Sequence, residues 1–347
     1  MPGSFIDRIE LQVALDGVPI EGLIHASIST NNCFSADSFM LTFAMGPPPL
    51  CDIAFWSSLS SAYIEIGAVM HDEPVAQDLI SGMIDTALLD PVRRTIAVEG
   101  RDLSASLIDA YRQQDFVNQT ASEVVSTIAL YHGLIPVVAA TSGNVGRYYG
   151  DGYTRLSLGQ FSRLRSDWDL VVQLARENGC DVFVQGRSLF FQSATDLDQL
   201  PVHLSLRELK TIRFEQTLTM SADASAKVQS WDSQNVTSYS SDTVDMGTGT
   251  VAAEPAGAAG SQPFLFSAAN FTSQQVTDSA GRYLAELSRL KIIMRAEMPW
   301  DLRLSPRGII LIDETNSSLD TLYRVDSIER HYSTSSGSSQ IIRAVAI

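Results

Sequence analysis

Basic charge is what this chain has least of. Lys and Arg number 24 against 40 Asp and Glu, a net charge of −16 at pH 7. Nucleic acid is held through phosphate contacts from clustered Lys and Arg. Nothing denser than pairs such as Arg93–Arg94 occurs here, so a tight nucleic-acid binder is excluded. Cysteine is scarce too: Cys33, Cys51 and Cys180 are odd in number, far apart and without CxxC spacing. Buried free thiols fit that pattern better than a disulfide framework or a zinc site. The histidines His25, His71, His132, His203 and His331 are scattered, with no pair at helical metal-ligand spacing. No metal and no cofactor is therefore expected. No run approaches the ~18 apolar residues of a membrane span, and residues 1–8 lack a basic segment leading into an apolar one. The expectation is a chain made and folded in a cytoplasm, with no leader, anchor or membrane binding. Catalytic signatures are missing as well: there is no GxSxG, P-loop or HExxH. Charged residues make up only 18%, against roughly 25% in average soluble proteins, while hydrophobic residues reach 45%. A core of ordinary size follows, with part of the surface turned toward an assembly.

What is present is mostly β-pattern. Ile9, Leu11, Val13 and Leu15 alternate with polar residues, placing one apolar face on a core. Asp16-Gly17 marks a two-residue hairpin, with a return strand over 19–29. Phe39, Leu41, Phe43 and Met45 alternate until Gly46 and the prolines at 47–49, which cannot donate to a ladder. Further strands fit 62–70, 79–88 and 94–99, and six short strands suggest a small barrel or sandwich. After Gly100 the pattern changes. Residues 103–111 read as a short helix. Thr120 and Glu123 form a capping box before an apolar stripe at Val124, Val125, Ile128 and Ala129, ended by Gly133. Ser166 opens a second helix with Trp168, Val171, Val172 and Ala175 on one face, closed by Asn178-Gly179. Residues 180–184 and 188–192 then form a tight hairpin. Strand patterns return at 211–217, 226–239, 291–298, 308–312, 322–331 and 339–346. They are interrupted by a Gly/Ala-rich loop over 245–262 and a helix over 272–290, with Phe271 stapled to Val276. The chain is thus α+β and mainly β, in three units: 1–102, 103–200 and 201–347.

Candidate chemistry is sparse. Asp167, Asp169 and Asp181 could suggest a metal or an acid pair, but Asp167 and Asp169 fall in a first helical turn, where negative charge suits the dipole. His71, Asp72 and Glu73 read as a hairpin tip, Asp313-Glu314 as a turn, and Gly143 to Gly146 as a loop too sparse to cradle phosphate. Trp56, Trp168, Trp231 and Trp300 are not interleaved with basic residues, so no base-stacking platform is formed. Arg163 and Arg165 are compatible with either an interface patch or a solvated loop. No catalytic residue is assigned, and the chain is read as not an enzyme.

Three stretches resemble one family. Gly82–Asp85 leading to Ile96–Asp109, then Ser166–Phe191, then more loosely Arg213–Thr217 with Ala226–Trp231, are similar to the baseplate hub proteins of contractile-tailed phages. That group includes the Mu-type hub, the late-control protein D family and the front half of VgrG spikes. The resemblance implies two tail-tube-like β-barrel domains with a small α/β insert. It further implies a homotrimer whose six barrels form a pseudo-sixfold ring. Such a ring joins the tail tube protein to a separate trimeric spike protein, beside the tape measure and other baseplate proteins, with DNA only in transit. An acidic lumen would keep phosphates from sticking. Unlike VgrG, the sequence stops after the second barrel region, so the spike is expected on another polypeptide. The implied location is the virion tail, assembled in the bacterial host cytoplasm. A hub of a non-contractile tail or gene-transfer particle is the alternative, and a cell-wall hydrolase using Asp or Glu a more distant one.

Overall fold

The computed structural model describes residues 9–46, 52–70, 73–150, 152–158, 165–193, 200–217, 225–232, 236–245, 251–252, 263–269, 271, 273–289 and 292–347. The first part holds β1 (Ile9–Leu15), β2 (Val18–Ile20), β3 (Leu23–Asn31), β4 (Ser38–Ala44), α1 (Ile53–Ser58), β5 (Tyr63–Met70), β6 (Glu73–Asp90) and β7 (Thr95–Asp102). The middle holds α2 (Ala105–Ile108), β8 (Gln114–Val117), α3 (Ala121–Tyr131), β9 (Ile135–Val138), β10 (Arg147–Gly150), β11 (Tyr153–Leu158), α4 (Asp167–Asn178), β12 (Cys180–Gln185) and β13 (Ser188–Ser193). The last part holds β14 (Val202–His203), β15 (Thr211–Gln216), β16 (Ser225–Asp232), β17 (Thr237–Asp245), β18 (Val251–Ala252), β19 (Pro263–Ala269), α5 (Ser273–Arg289), β20 (Ile292–Met298), β21 (Ile309–Leu311), β22 (Leu322–Ser333) and β23 (Gly337–Ala346).

The Asp16-Gly17 hairpin forms as its residues require. Both have positive φ, +49° and +80°, and Leu15 faces Val18 directly, the twist-matched two-residue turn. The return strand over 19–29, however, is split. β2 stops at Ile20, Gly22 turns at φ +85°, and β3 leaves to pair with β4 and β22. The long partner of β1 is β5.

The chain is α+β and mainly β. Among the described residues closure into two barrels is not found. Thirteen of the described strands form one open sheet, eleven of them in the order β15-β20-β23-β22-β3-β4-β7-β6-β5-β1-β2, with β21 pairing β22 and β14 pairing β21 off that path. The physical reason is the β3–β22 pairing, from Asn31 opposite Ser327 to His25 opposite Ser333, which welds the two β-rich ends into one wall. Each end still encloses its own core. Val13, Ile28, Leu41, Phe43, Ile64, Ile66, Ile96 and Val98 meet under Trp56 in the first. Met294, Ala296, Ile310, Tyr323, Val325, Ile328, Ile342 and Ala344 meet in the second. A single sheet whose one face converges on a core must wrap around it.

The middle segment packs a third core from α3, α4, β12 and β13, including Val124, Ile128, Trp168, Leu170, Val171, Leu174, Val182 and Phe191. Both capping boxes are present: Thr120 Oγ1 accepts from the Glu123 N–H, and Ser166 Oγ from the Asp169 N–H. Gly179 ends α4 at φ +66°, the usual left-handed stop. The helix over 103–111 is shorter than its pattern suggests. It covers only Ala105–Ile108, because the chain leaves at Asp109 for Tyr111 to bridge Ser166. The single strand over 226–239 is two antiparallel strands, β16 and β17. These form a sheet in the order β18-β17-β16-β19, with α5 laid over it through Val276, Ala280 and Leu284. Phe271 packs beside Val276; Thr272, the cap residue, lies outside the described residues. The 245–262 loop contains the short strand β18, paired to Val244 and Asp245, and the rest of it falls outside the described residues.

Gly82 and Gly100 are among the glycines fixed by close backbone approach. A Cβ on Gly82 would overlap the Arg101 carbonyl, and one on Gly100 would overlap the Met83 carbonyl and the Phe39 ring. The two strands that carry them pair directly, Ile84 against Gly100. Gly100→Ala is therefore expected to lower stability by about 1–3 kcal/mol through overpacking, read as a lower urea midpoint. The same change at Gly186, where no atom lies within 4 Å but φ is +57°, probes backbone strain alone and should cost about 1 kcal/mol.

Candidate functional site

The residues with chemical potential are gathered where the three cores meet, around the loop between β3 and β4. This loop starts after Asn31 and runs through Asn32, Cys33 and Phe34 to Asp37. Its backbone reaches both neighbours: the Asn32 N–H donates to the Asp326 carbonyl at 2.7 Å, and the Phe34 N–H to the Val182 carbonyl at 3.1 Å. From the α/β side, Trp168 Nε1 donates to the Phe34 carbonyl at 3.2 Å, and the Arg176 guanidinium lies over the Phe34 ring. From the last part of the chain, Arg307 Nη1 donates to the Asn32 carbonyl at 2.6 Å, and its guanidinium stacks on Phe183, 3.6 Å from the ring centroid.

Charge is placed here against the usual preference for solvent. Asp181 of β12 and Arg324 of β22 are both buried and paired. Asp37 takes the Asn31 N–H on Oδ1 at 2.7 Å, and Asp102 takes the Ser104 hydroxyl at 2.5 Å. Burial, then the neighbouring Asp102 charge, pushes the Asp37 carboxyl up to about 7. Burial likewise lifts Asp102 to about 6, against the pull of the Ser104 hydrogen bonds. Burial and the Asp181 carboxylate hold the Cys33 thiol far above its ordinary range, so the neutral thiol persists and its nucleophilicity is suppressed.

The acidic residues flagged in the sequence do not converge. Asp167 is fully buried and accepts from Arg112 Nε at 2.7 Å, with His132 Nε2 also 2.7 Å away; it fastens α4 to α3. Asp169 accepts from the Ser166 and Arg165 N–H groups. Asp181 joins Arg324 instead. Asp313 meets His203 at 2.8 Å, and Glu314 caps the Ser205 turn. Arg165 is exposed at the start of α4, while Arg163, His71 and Asp72 lie outside the described residues. Gly143 and Gly146 turn at φ +85° and +91° in an ordinary loop. Trp300 Nε1 bridges the His331 and Ser339 carbonyls at 3.0 and 2.7 Å, Trp56 and Trp168 are buried, and Trp231 is exposed. Cys33 and Cys180 are free thiols; Cys51 is outside the described residues. Among the described residues no group of three or more His, Cys, Asp or Glu could hold a metal ion, and no helix is long and apolar enough to cross a membrane. The roles of Arg307 and Arg324 were not visible in the sequence: an arginine in a turn and another in a strand pattern give no sign of the carbonyls the first will meet or the carboxylate the second will pair with.

This arrangement binds parts of one chain to one another, and the overall fold it produces is that of phage tail proteins. The chain superposes over 97% of its length on 96% of a tail protein from Neisseria meningitidis, with a TM-score of 0.70 at 13% identity. It superposes over 98% on 98% of the 43 kDa tail protein of prophage MuSo2 from Shewanella oneidensis, with a TM-score of 0.67 at 14% identity. An E. coli component of the type VI secretion system, described as structurally similar to bacteriophage tail proteins, matches 98% of this chain and 77% of its own, with a TM-score of 0.56 at 10% identity. No protein-family model and no curated protein sequence matches the chain.

Removing one member of the Asp181–Arg324 pair strands a buried charge. Arg324→Leu is expected to destabilise by about 3–5 kcal/mol, whereas Asp181→Leu combined with Arg324→Leu recovers most of that loss, as measured by chemical denaturation. Asp37 gives a pH signature. Its folded-state value lies above the ordinary 3.8, so folding takes up a proton between about pH 4 and 7. Stability is full below that window and falls as pH rises through it. Asp37→Asn keeps an acceptor for the Asn31 N–H and is expected to flatten the decline of Tm between pH 5 and 7.5. A variant that declines as steeply as the parent would show that Asp37 is not responsible.

Proposed function

We propose that this chain is the structural hub of a phage-type tail. Three copies close into a pseudo-sixfold ring that seats the tail tube protein on one side and a separate trimeric spike protein on the other. The observation that carries this reading is the near full-length match to tail proteins in a chain whose two β-rich ends form one continuous wall. In this reading the three cores correspond to three domains, 1–102, 103–200 and 201–347. The first and last supply the repeated ring elements and the middle one an outward appendage. A ring that offers six near-equivalent elements to a sixfold tube and three equivalent faces to a trimeric spike solves a symmetry mismatch without chemistry. The scarcity of charged residues accords with surface being buried on assembly. The location is the tail of a virion-like particle, and DNA meets the protein only in passage.

Sedimentation equilibrium or mass photometry of the purified chain tests this directly, with a trimer as the expected species. A chain that stays monomeric at every accessible concentration, including with the tube protein added, would rule out the ring.

A further inference from the structure

The outer face of the last β-rich part carries an arrangement that costs stability. Arg213 of β15 stands directly opposite Arg295 of β20, and Arg295 directly opposite Arg343 of β23. All three are exposed and on the face away from the core, whose side is marked by Met294, Ala296, Ile342 and Ala344. Like charges directly across a strand pair repel. Adjacent strands lie about 4.8 Å apart, so the three arginine positions form a row about 10 Å long. Only one of them is neutralised: Asp326, at the β22 bulge, pairs with Arg343. Among the described residues neither Arg213 nor Arg295 makes an ion pair. In a chain of net charge −16, a row of cations held in register against its own repulsion breaks a local rule without structural return, which marks a functional surface.

We propose that this arginine row is a docking surface for a separate protein that presents a matching row of carboxylates. Arginine forks bind carboxylates bidentately, which suits a partner strand or helix lying along the row. The neighbouring rows favour this partner over nucleic acid. Glu215 flanks the arginines on one side and Glu329 on the other, beyond a Glu297 that Lys210 already pairs, so a phosphate strand would meet acid on leaving the row at either end. A sheet face of a second copy is a poor occupant, because no two carboxylates face each other across any described strand pair. The inference does not depend on how many copies form a ring.

Two measurements on the full chain test it. First, Arg213→Ser and Arg295→Ser should each raise the thermal midpoint of the free chain by about 1–3 °C, since they relieve repulsion. Second, a fluorescein-labelled helical peptide with glutamate at every fourth position should bind the parent chain. Its affinity should fall on the order of tenfold in the double variant, the loss of charge-assisted hydrogen bonds. Lowered stability in the Ser variants would make the row a structural element and overturn the proposal. So would an absence of peptide binding by the parent, or equally tight binding of single-stranded DNA of matched charge.

Discussion

A carboxylate that stays charged out of water needs a cation, and in this chain Asp181 and Arg324, which pair with each other, lie 143 residues apart. That requirement organises the junction. Asp181 sits at the start of the β12–β13 hairpin in the middle segment, and Arg324 on the long strand β22. Satisfying the pair therefore docks the α/β segment onto the last part of the chain. Desolvation of both groups is costly, so the pair is a poor source of net stability. Its value is specificity, because every misdocked arrangement leaves one charge buried alone.

The loop after β3 completes the constraint at the expense of local comfort. Phe34 is held at φ +66° and Arg307 at φ +71°, a region that side-chain-bearing residues enter rarely. Such strain persists where surrounding contacts over-determine it. Here they are the Val182 carbonyl, the Trp168 indole and the Arg176 guanidinium around Phe34, and the Asn31 and Asn32 carbonyls and the Phe183 ring around Arg307. Each of the three parts contributes to holding the others. The same tie appears in the main sheet, where Thr30 hydroxyl reaches the Ile328 carbonyl across a separation of 298 residues. Contacts of such range form only after most of the chain is made, which slows folding.

What could be read from the sequence follows the range of the interactions. The Asp16-Gly17 turn, the boxes at Thr120 and Ser166, the Gly179 stop and the 180–193 hairpin are decided within a few residues, and each is where its local pattern puts it. The failures are non-local. Nothing in residues 19–29 shows that Gly22 will send the chain to a strand near the C-terminus. The periodicity of 226–239 does not reveal a turn between two equally polar strands. The expectation of separate barrels assumed that each end would satisfy its own edges; β3 and β22 satisfy each other instead. The junction charges were illegible for the same reason. Asp181 was noticed as one of three acids, but its partner is defined only by how the β12–β13 hairpin docks against β22.

The two kinds of charge in this protein answer to different forces. The buried Asp181–Arg324 pair at the junction is compensated within the chain, and its arrangement is explained by docking of the chain's parts. The exposed arginines on β15, β20 and β23 are the reverse case. They could disperse into solvent, yet backbone register aligns them. The register itself is set by the opposite face, since moving a strand by one residue would take Met294 and Ala296 out of the core. The sheet cannot slide to relieve the repulsion, and only substitution could. A wall whose inner face dictates register is therefore free to use its outer face for recognition, at a small and tolerable cost in stability.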